Sequence, residues 1–465
     1  MTGIVNTLVY FLGILILYYL IPPKNRWGIL LLASVVFYAI ADWKMLSLLG
    51  GSILFSYAVG LKVEKAEGRK KRAWLITGIA LETLILISFK YFHFFTGAVT
   101  ALMGKMGLFP SSGVLNLLMP LGISYYTFKN ISYLADVHQG KISAEKHLGH
   151  YALYVSFFLQ IVCGPIERAD NFLPQIKSGC RYDEKMAAEG VERMLIGLFK
   201  KLAIADRLAP YIGTIFGAPE QYPGLASLMA VCLFSVQIYC DFSGYSDMAI
   251  GMAQILGIRT RENFCFPYFS RGIKEFWSRW HKSLSCWLKD YIYIPLGGNR
   301  KGKFRKRLNI IATFLVSGIW HGESINFMIW GLLHGVWSAF AVKKGKDAPM
   351  WRQIWQMLVT FAGVTFTWIF FRAKDLQTSV TMIKKILFEF GFSAENVVES
   401  ILPFTGDNTC AAYFLVNVLL ILMIAVFEWR KSRGKRTGYI WLAGMLMVTM
   451  LFGIYGNSSF LYGQF

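Results

Sequence analysis

The chain has 465 residues, of which 55% are hydrophobic, 16% aromatic and only 16% charged, with a mean hydropathy of +0.45. A soluble protein of this length carries about 25% charge, and the apolar residues here run in long stretches, so a soluble enzyme is excluded and an all-α polytopic membrane protein is expected. The formal charge of +21 does not imply a nucleic-acid partner, because the bases sit in short clusters between apolar segments, as cytoplasmic loops do.

In chain order the predicted spans are 3–21, 27–41, 45–61, 73–92, 113–128, 149–165, 191–215, 224–257, 308–320, 325–342, 353–371, 411–428 and 438–457. Several are too short or too polar to cross a bilayer alone and are expected to be re-entrant or half-spanning. Residues 3–21 are followed by IPPKNR rather than a small-residue cleavage site, so the first segment reads as a retained span. Three basic loops set the orientation: Lys62 to Arg72, Arg300 to Arg307, and Arg430 to Arg436. Placed in the cytoplasm, they put the lipid bilayer around a multi-pass cell-membrane protein with both termini extracytoplasmic. Residues 391–410 carry Glu395, Glu399 and Asp407 and no Lys or Arg, as an external loop does. No internal repeat divides the chain, so residues 1–465 are expected to form a single membrane-embedded domain. The 43 glycines and 13 prolines fit kinked, closely packed membrane helices, and the seven cysteines carry no metal-ligand spacing.

The segment 259–307 differs from its flanks. It mixes Arg259, Arg261, Arg271, Lys274, Arg279, Lys282 and Lys289 with Phe264, Trp277, Trp280, Trp287 and Tyr291. Bases and aromatics together prefer the membrane interface, so amphipathic helices in the cytoplasmic headgroup layer are expected here, forming one wall of a funnel. Arg279, Lys289, Asn299 and Arg300 are the candidate donor-binding residues.

His321 follows in SGIWHG. On a continuous helix starting at the cytoplasmic face it lies fourteen residues past Arg307, about 21 Å deep at 1.5 Å per residue, two thirds of the way through a hydrocarbon core of about 30 Å. A titratable ring at that depth is a functional-site candidate; the alternative is a histidine that hydrogen-bonds between helices. His281, next to Trp280, is the second candidate; this ring or Asp290 would orient the acceptor, stabilise the oxyanion or fix the tautomer of His321. Both face one site only if the helix breaks between them. His334 fits the face of His321 poorly and reads as structural, while His93, His138, His147 and His150 read as solvated. Asp241, Ser243 and Asp247 in the run QIYCDFSGYSDMAIG either pair with Lys or Arg to hold helices together or line a polar tunnel. Glu82, Glu167 and Arg168 carry the same two readings. Asp290 and Trp320 complete the candidate acceptor or tunnel set, and no metal site is expected.

The motifs MPLGISYYTF (119–128), YVSFFLQIVCGPIERADNFLPQI (154–176), GLFKKLAIADRLA (197–209) and DFSGYSDMAIG (241–251) stand in one order. ENFCFPYFSRGIKEFWSRWHKSLSCWLKDYIYIPLGGNR (262–300), FLVSGIWHG (314–322) and WGLLHG (330–335) continue it. Together they resemble the membrane-bound O-acyltransferase family, in particular its bacterial AlgI-like branch. The resemblance implies a ring of transmembrane helices around a thin centre with a cytoplasmic funnel. A donor thioester, acetyl-CoA or an acyl carrier, enters from the cytoplasm. The acceptor is an extracytoplasmic polysaccharide hydroxyl or a partner serine acetyltransferase of SGNH type. The family's catalytic histidine maps onto His321 and its second motif position onto His281 or the Asp290 region. Neutral imidazole would take the hydroxyl proton, with donors near His281 for the oxyanion, and no bound cofactor is implied. Three departures stand out: Lys282 where an apolar residue is usual, HGESIN in place of HGANWT, and Gly463 in FLYGQF. A DltB-like D-alanyl transfer to teichoic acid is the nearest alternative, and a non-enzymatic polysaccharide or lipid conduit the alternative of another class.

Overall fold

The computed structural model describes residues 4–92, 95–97, 100, 120–342 and 348–456. His93, residues 113–119 of one expected span, residue 457 of the last span and the FLYGQF motif lie outside the described residues. Among the described residues every regular element is helical. Five stretches are long and apolar enough to cross a bilayer: Pro23–Lys65, Gly68–Lys90, Gly224–Ile255, Met350–Arg372 and Cys410–Ser432. Ile4–Leu20, Leu148–Ile161, Ile325–Phe340 and Tyr439–Phe452 are apolar but shorter. The expected spans 191–215 and 308–320 belong to neither group, because the first carries Lys200, Lys201, Asp206 and Arg207 and the second is the end of a helix that starts with a run of bases.

The chain divides into two compact units, Met1–Ala188 with Met252–Arg261, and Glu189–Gly251 with Glu262–Phe465. The first contains α1 (Ile4–Leu20), α2 (Arg26–Asp42), α3 (Leu46–Lys65), α4 (Gly68–Lys90), α5 (Ile123–His138), α6 (Leu148–Ser156) and α7 (Ala169–Ser178). Its interior is polar at one point. Glu82 of α4 accepts from the Ser52 hydroxyl at 2.9 and 3.0 Å and from the Asn130 amide at 3.1 Å. The Tyr151 hydroxyl then lies within hydrogen-bond reach of Asn130 Oδ1 at 3.0 Å and of Ser56 Oγ at 2.8 Å. Four helices are thereby tied together by groups whose burial without partners costs several kcal/mol. The partners of Glu82 are thus a hydroxyl and an amide, not the base that one of its two readings called for. Lys129, also buried, donates to the Tyr154 carbonyl at 2.9 Å and to Gln160 at 3.1 Å. Glu167 does meet a base, Arg261, at 3.3 Å.

α8 (Glu184–Leu198) and α10 (Gly224–Ile255) each begin in one unit and end in the other, with α9 (Asp206–Gly217) between them in the second. The second unit continues with α11 (Ile273–Arg279), α12 (Lys282–Leu288), α13 (Gly302–His321), α14 (Ile325–Phe340), α15 (Met350–Arg372), α16 (Leu376–Phe388), α17 (Ala394–Ile401), α18 (Cys410–Ser432) and α19 (Tyr439–Phe452). Two wider π-helical turns interrupt the pattern, at Phe199–Ala205 and Lys289–Tyr293. Side-chain caps start several helices: Ser324 accepts from the Asn326 N–H, Asp375 from Thr378 and Ser393 from Asn396. α13 has no such cap and opens on Lys303, Arg305, Lys306 and Arg307, all exposed. Cations at a helix N-terminus oppose the macrodipole, so this run does not serve the stability of the helix.

α13 and α14 meet along glycines. A methyl group on Gly331 would stand 3.2 Å from the Cα of Gly318 and 2.5 Å from the Phe314 carbonyl oxygen. One on Gly335 would stand 3.0 Å from the Cα of Ile311. Gly331 and Gly335 are spaced G-x-x-x-G, the arrangement that lets two membrane helices approach backbone to backbone.

Candidate functional site

His321 is the last residue of α13, and Gly322, in extended backbone, ends the helix. The helix runs unbroken from the basic cluster to this ring, so Arg307 and His321 are separated by a rise of about 21 Å. The imidazole is 2% exposed. It lies edge-on to Trp330 and Phe371, each 5.1 Å away, with Trp320 at 4.7 Å. Gly318, one turn before the ring, packs against the backbone of α14, where an added methyl group would meet the Phe327 carbonyl and the Cα of Gly331. Two buried donors lie close in the chain or in space: Ser317, one helical turn before His321, and Trp330. Neither the Ser317 hydroxyl nor the Trp330 indole N–H has a hydrogen-bond partner among the described residues. Such groups normally find one.

His281 is fully buried and adopts φ 41, a left-handed backbone shared among described non-glycine residues only by Phe266. That conformation costs about 1–2 kcal/mol for a residue with a Cβ. Two backbone bonds hold it: Lys282 N–H donates to Asn263 O at 2.8 Å, and Cys265 N–H to Arg279 O at 3.0 Å. The ring Nδ1 lies 2.9 Å from Asn263 Oδ1, which also accepts from Ser283 at 2.9 Å, while Asn263 Nδ2 donates to Ser246 at 2.9 Å. Burial pushes the His281 imidazole down to about 3, so it is neutral at any physiological pH.

A continuous series of ring contacts joins the two histidines within this unit. From His321 it passes to Trp330 (5.1 Å), Trp368 (6.0 Å), Trp280 (5.2 Å), Phe264 (5.2 Å), Phe242 (4.9 Å) and His281 (4.7 Å). His334 lies beside this series and is fully engaged: Trp277 N–H donates to its Nδ1 at 3.3 Å and its Nε2 faces Thr367 at 2.9 Å. An indole N–H only donates, so Nδ1 is the acceptor and Nε2 carries the proton.

A cavity of about 200 Å³ is lined by Trp277, Ser285, Lys289, Tyr293, Thr313 and Phe314 among others. Thr313 is two helical turns before His321 on α13, about 12 Å along its axis. Trp277 forms the cavity wall on one side and touches Trp330 at 5.8 Å on the other. Of the four donor-binding candidates, Lys289 lines this cavity, whereas Arg279 is held by Glu275 at 2.6 Å. Asn299 and Arg300 are exposed in the preceding turn, which Asn309 anchors through the Gly298 carbonyl at 2.9 Å. Asp290 sits in the π-helical turn, a third exposed, 3.7 Å from Lys289. Between His281 and Asp290 the chain runs through α12 directly into this widened turn.

The acidic pair of α10 is engaged in ion pairs. Asp241 accepts from Lys201 at 2.5 Å, and Lys201 also meets Asp206 at 2.8 Å. Asp247 is held by Arg193 at 3.0 Å and Lys200 at 3.1 Å. These are the cations that the helix-holding reading of the two acids calls for. Ser243 between them is buried, with its hydroxyl unpartnered among the described residues. Sequence reasoning missed Asn263 and Trp330. Each stands in a motif already noted, ENFCF and WGLLHG, but neither residue type announces a contact made across the fold.

These observations define a class: a multi-pass, helical membrane protein with three buried histidines in an aromatic interior and a basic helix end leading to one of them. Residues 142–342 match the family described as MBOAT, the membrane-bound O-acyltransferase family. The chain is 40% identical over 384 residues to the probable alginate O-acetylase AlgI of Pseudomonas putida, covering 82% of this chain and 78% of that one. It is 37% identical over 388 residues to the peptidoglycan O-acetyltransferase of Helicobacter pylori (76% and 72%) and 30% identical over 283 residues to the teichoic acid D-alanyltransferase of Bacillus subtilis (56% and 71%). The chain belongs to the membrane-bound O-acyltransferase family and is an O-acyltransferase.

Proposed function

We propose that the protein, acting as one domain, moves an acetyl group from a cytoplasmic thioester to a hydroxyl destined for an extracytoplasmic polysaccharide. The thioester is acetyl-CoA or an acyl carrier. The hydroxyl belongs to the polymer itself or to a serine of a partner acetyltransferase. The observation that carries this reading is His321, a buried imidazole at the C-terminal end of a helix whose opposite end bears four exposed bases. Those bases and the positive end of the helix dipole attract the donor's phosphates. Relatives at 37–40% identity named as O-acetylases and as an O-acetyltransferase support acetyl over D-alanyl, since the D-alanyltransferase stands at 30%.

The chemistry follows from the position of the ring. Neutral His321 takes the proton of the acceptor hydroxyl as its oxygen attacks the thioester carbonyl. The C–S bond breaks, and the thiolate takes the proton back from the imidazolium. The negative end of the helix dipole stabilises that imidazolium while it exists. The Trp330 indole N–H, buried beside His321, is the donor for the developing oxyanion. The exposed Lys289 at the cavity marks the donor's approach.

Acetylation of the cell's polysaccharide in a His321→Ala strain tests this reading, with mass spectrometry to identify the ester group. Loss of acetyl ester at normal protein level is the expected result. Persistent acetylation overturns the role of His321, and an alanyl ester in the wild type overturns the choice of acyl group.

A further inference from the structure

We propose that Asn263 is a positioning residue that fixes His281 as its Nδ1–H tautomer, so that the ring offers a lone pair at Nε2 and acts as an acceptor or base. This rests on the acyltransfer reading above for the use made of His281, but its geometry stands apart from it. Three features converge. Asn263 Oδ1 lies 2.9 Å from both His281 Nδ1 and Ser283 Oγ, and its Nδ2 gives its hydrogen to Ser246, also at 2.9 Å. With the amide nitrogen turned to Ser246, the oxygen receives both remaining contacts, which makes Nδ1 a donor. The segment that carries Asn263 also clamps the backbone on both sides of His281, through Lys282 N–H to Asn263 O and Cys265 N–H to Arg279 O. The clamp sustains a left-handed conformation that a histidine does not adopt without cause, and backbone strain of this kind gathers where a side chain must be aimed. Phe242, edge-on at 4.7 Å, closes one face of the ring.

The consequence revises the expectation for this residue. An imidazole whose Nδ1 keeps the proton cannot donate from Nε2 while neutral, so His281 is not a donor for the oxyanion. Its Nε2 accepts a hydrogen bond, orienting a hydroxyl or relaying its proton. The arrangement has the logic of a base held by a third group, in which the wrong tautomer costs up to about 10⁴ in rate.

The test is the nitrogen spectrum of full-length protein in detergent or lipid, labelled with ¹⁵N-histidine, the His281 signals being assigned by their loss in His281→Gln. The wild type is expected to show a protonated Nδ1 and a bare Nε2. Asn263→Asp, which presents oxygen only, is expected to keep that pattern and at least a tenth of the acetyl-transfer rate; its carboxylate also moves the acid limb of the pH–rate profile to higher pH, because it favours the imidazolium. Asn263→Ala is expected to give mixed tautomers and a loss of about 10- to 100-fold, the range seen when the group orienting a functional histidine is removed. A bare Nδ1 in the wild type overturns the proposal without any variant having to fold. So does an unchanged spectrum and rate in Asn263→Ala. Acetylation that survives His281→Gln would instead remove His281 from the reaction, leaving the tautomer result to be read on its own.

Discussion

In the first unit Glu82 is met by a serine hydroxyl and an asparagine amide, whereas in the second Asp241 and Asp247 each face lysine or arginine at 2.5–3.1 Å. Both solutions satisfy a buried carboxyl group, but they differ in what happens when one partner is changed. Neutral donors serve a carboxyl or an amide equally well. An ion pair that loses its cation leaves buried charge behind, which costs far more than the pair contributes. Around Glu82 the first unit is therefore stitched by exchangeable hydrogen bonds, whereas around Asp241 and Asp247 the second is held by charges that must all be present. It is within the second, charge-fixed unit that His281 and His321 are held.

The largest expected effect tests that contrast directly. Lys201→Met leaves Asp206 and Asp241 without their shared cation and is expected to cost about 3–5 kcal/mol, read as a lowered thermal unfolding midpoint in detergent. Trp330→Phe keeps an aromatic ring at this position and removes the N–H together with part of the indole. A fall in kcat of about 10²- to 10³-fold with little change in KM is expected, and an unchanged kcat would take the oxyanion role from this indole. The pH dependence comes next. Because burial holds His281 near 3 when folded and an unfolded histidine titrates near 6.5, the unfolded chain binds the extra proton between these values. Stability is full above about pH 6.5 and declines as pH falls below it, by about 1 kcal/mol between pH 6.5 and 5.5. The difference between wild type and His281→Asn in unfolding experiments at those two pH values measures it. Glu82→Gln should be the mildest, within about 1 kcal/mol of wild type, since Ser52 and Asn130 already supply donors; a loss of several kcal/mol would place Glu82 with the ion-paired class.

Much of this arrangement is legible in the sequence because it depends on local patterns. Glycine after His321 marks the end of α13, and the bases after Asn299 mark its beginning. Carboxylates inside QIYCDFSGYSDMAIG demand cations, and the polar FKK within an apolar run was the matching signal at Lys200 and Lys201. The π-helical turns are not legible, since their extra residue per turn is imposed by packing and has no residue signature. Nor is the Asn263–His281 contact, which joins positions eighteen apart across a chain reversal held by backbone bonds. The partners of Glu82 escaped for a related reason: a carboxyl group in an apolar helix announces a need for donors without specifying whether they are charged.

The glycine seam between α13 and α14 has a consequence for how deep the reactive ring sits. Gly318 nests against Gly331 with no side chain between them, so the two helices engage like a key cut for one notch. Sliding α13 by a single turn, about 5.4 Å, would bring Phe314 or the Gly322 end of the helix to that notch, and bulk or a broken helix end cannot fill it. The height of the imidazole above the basic rim is thus gauged by hydrogen atoms on two glycines, one a single turn before His321 and the other next to Trp330.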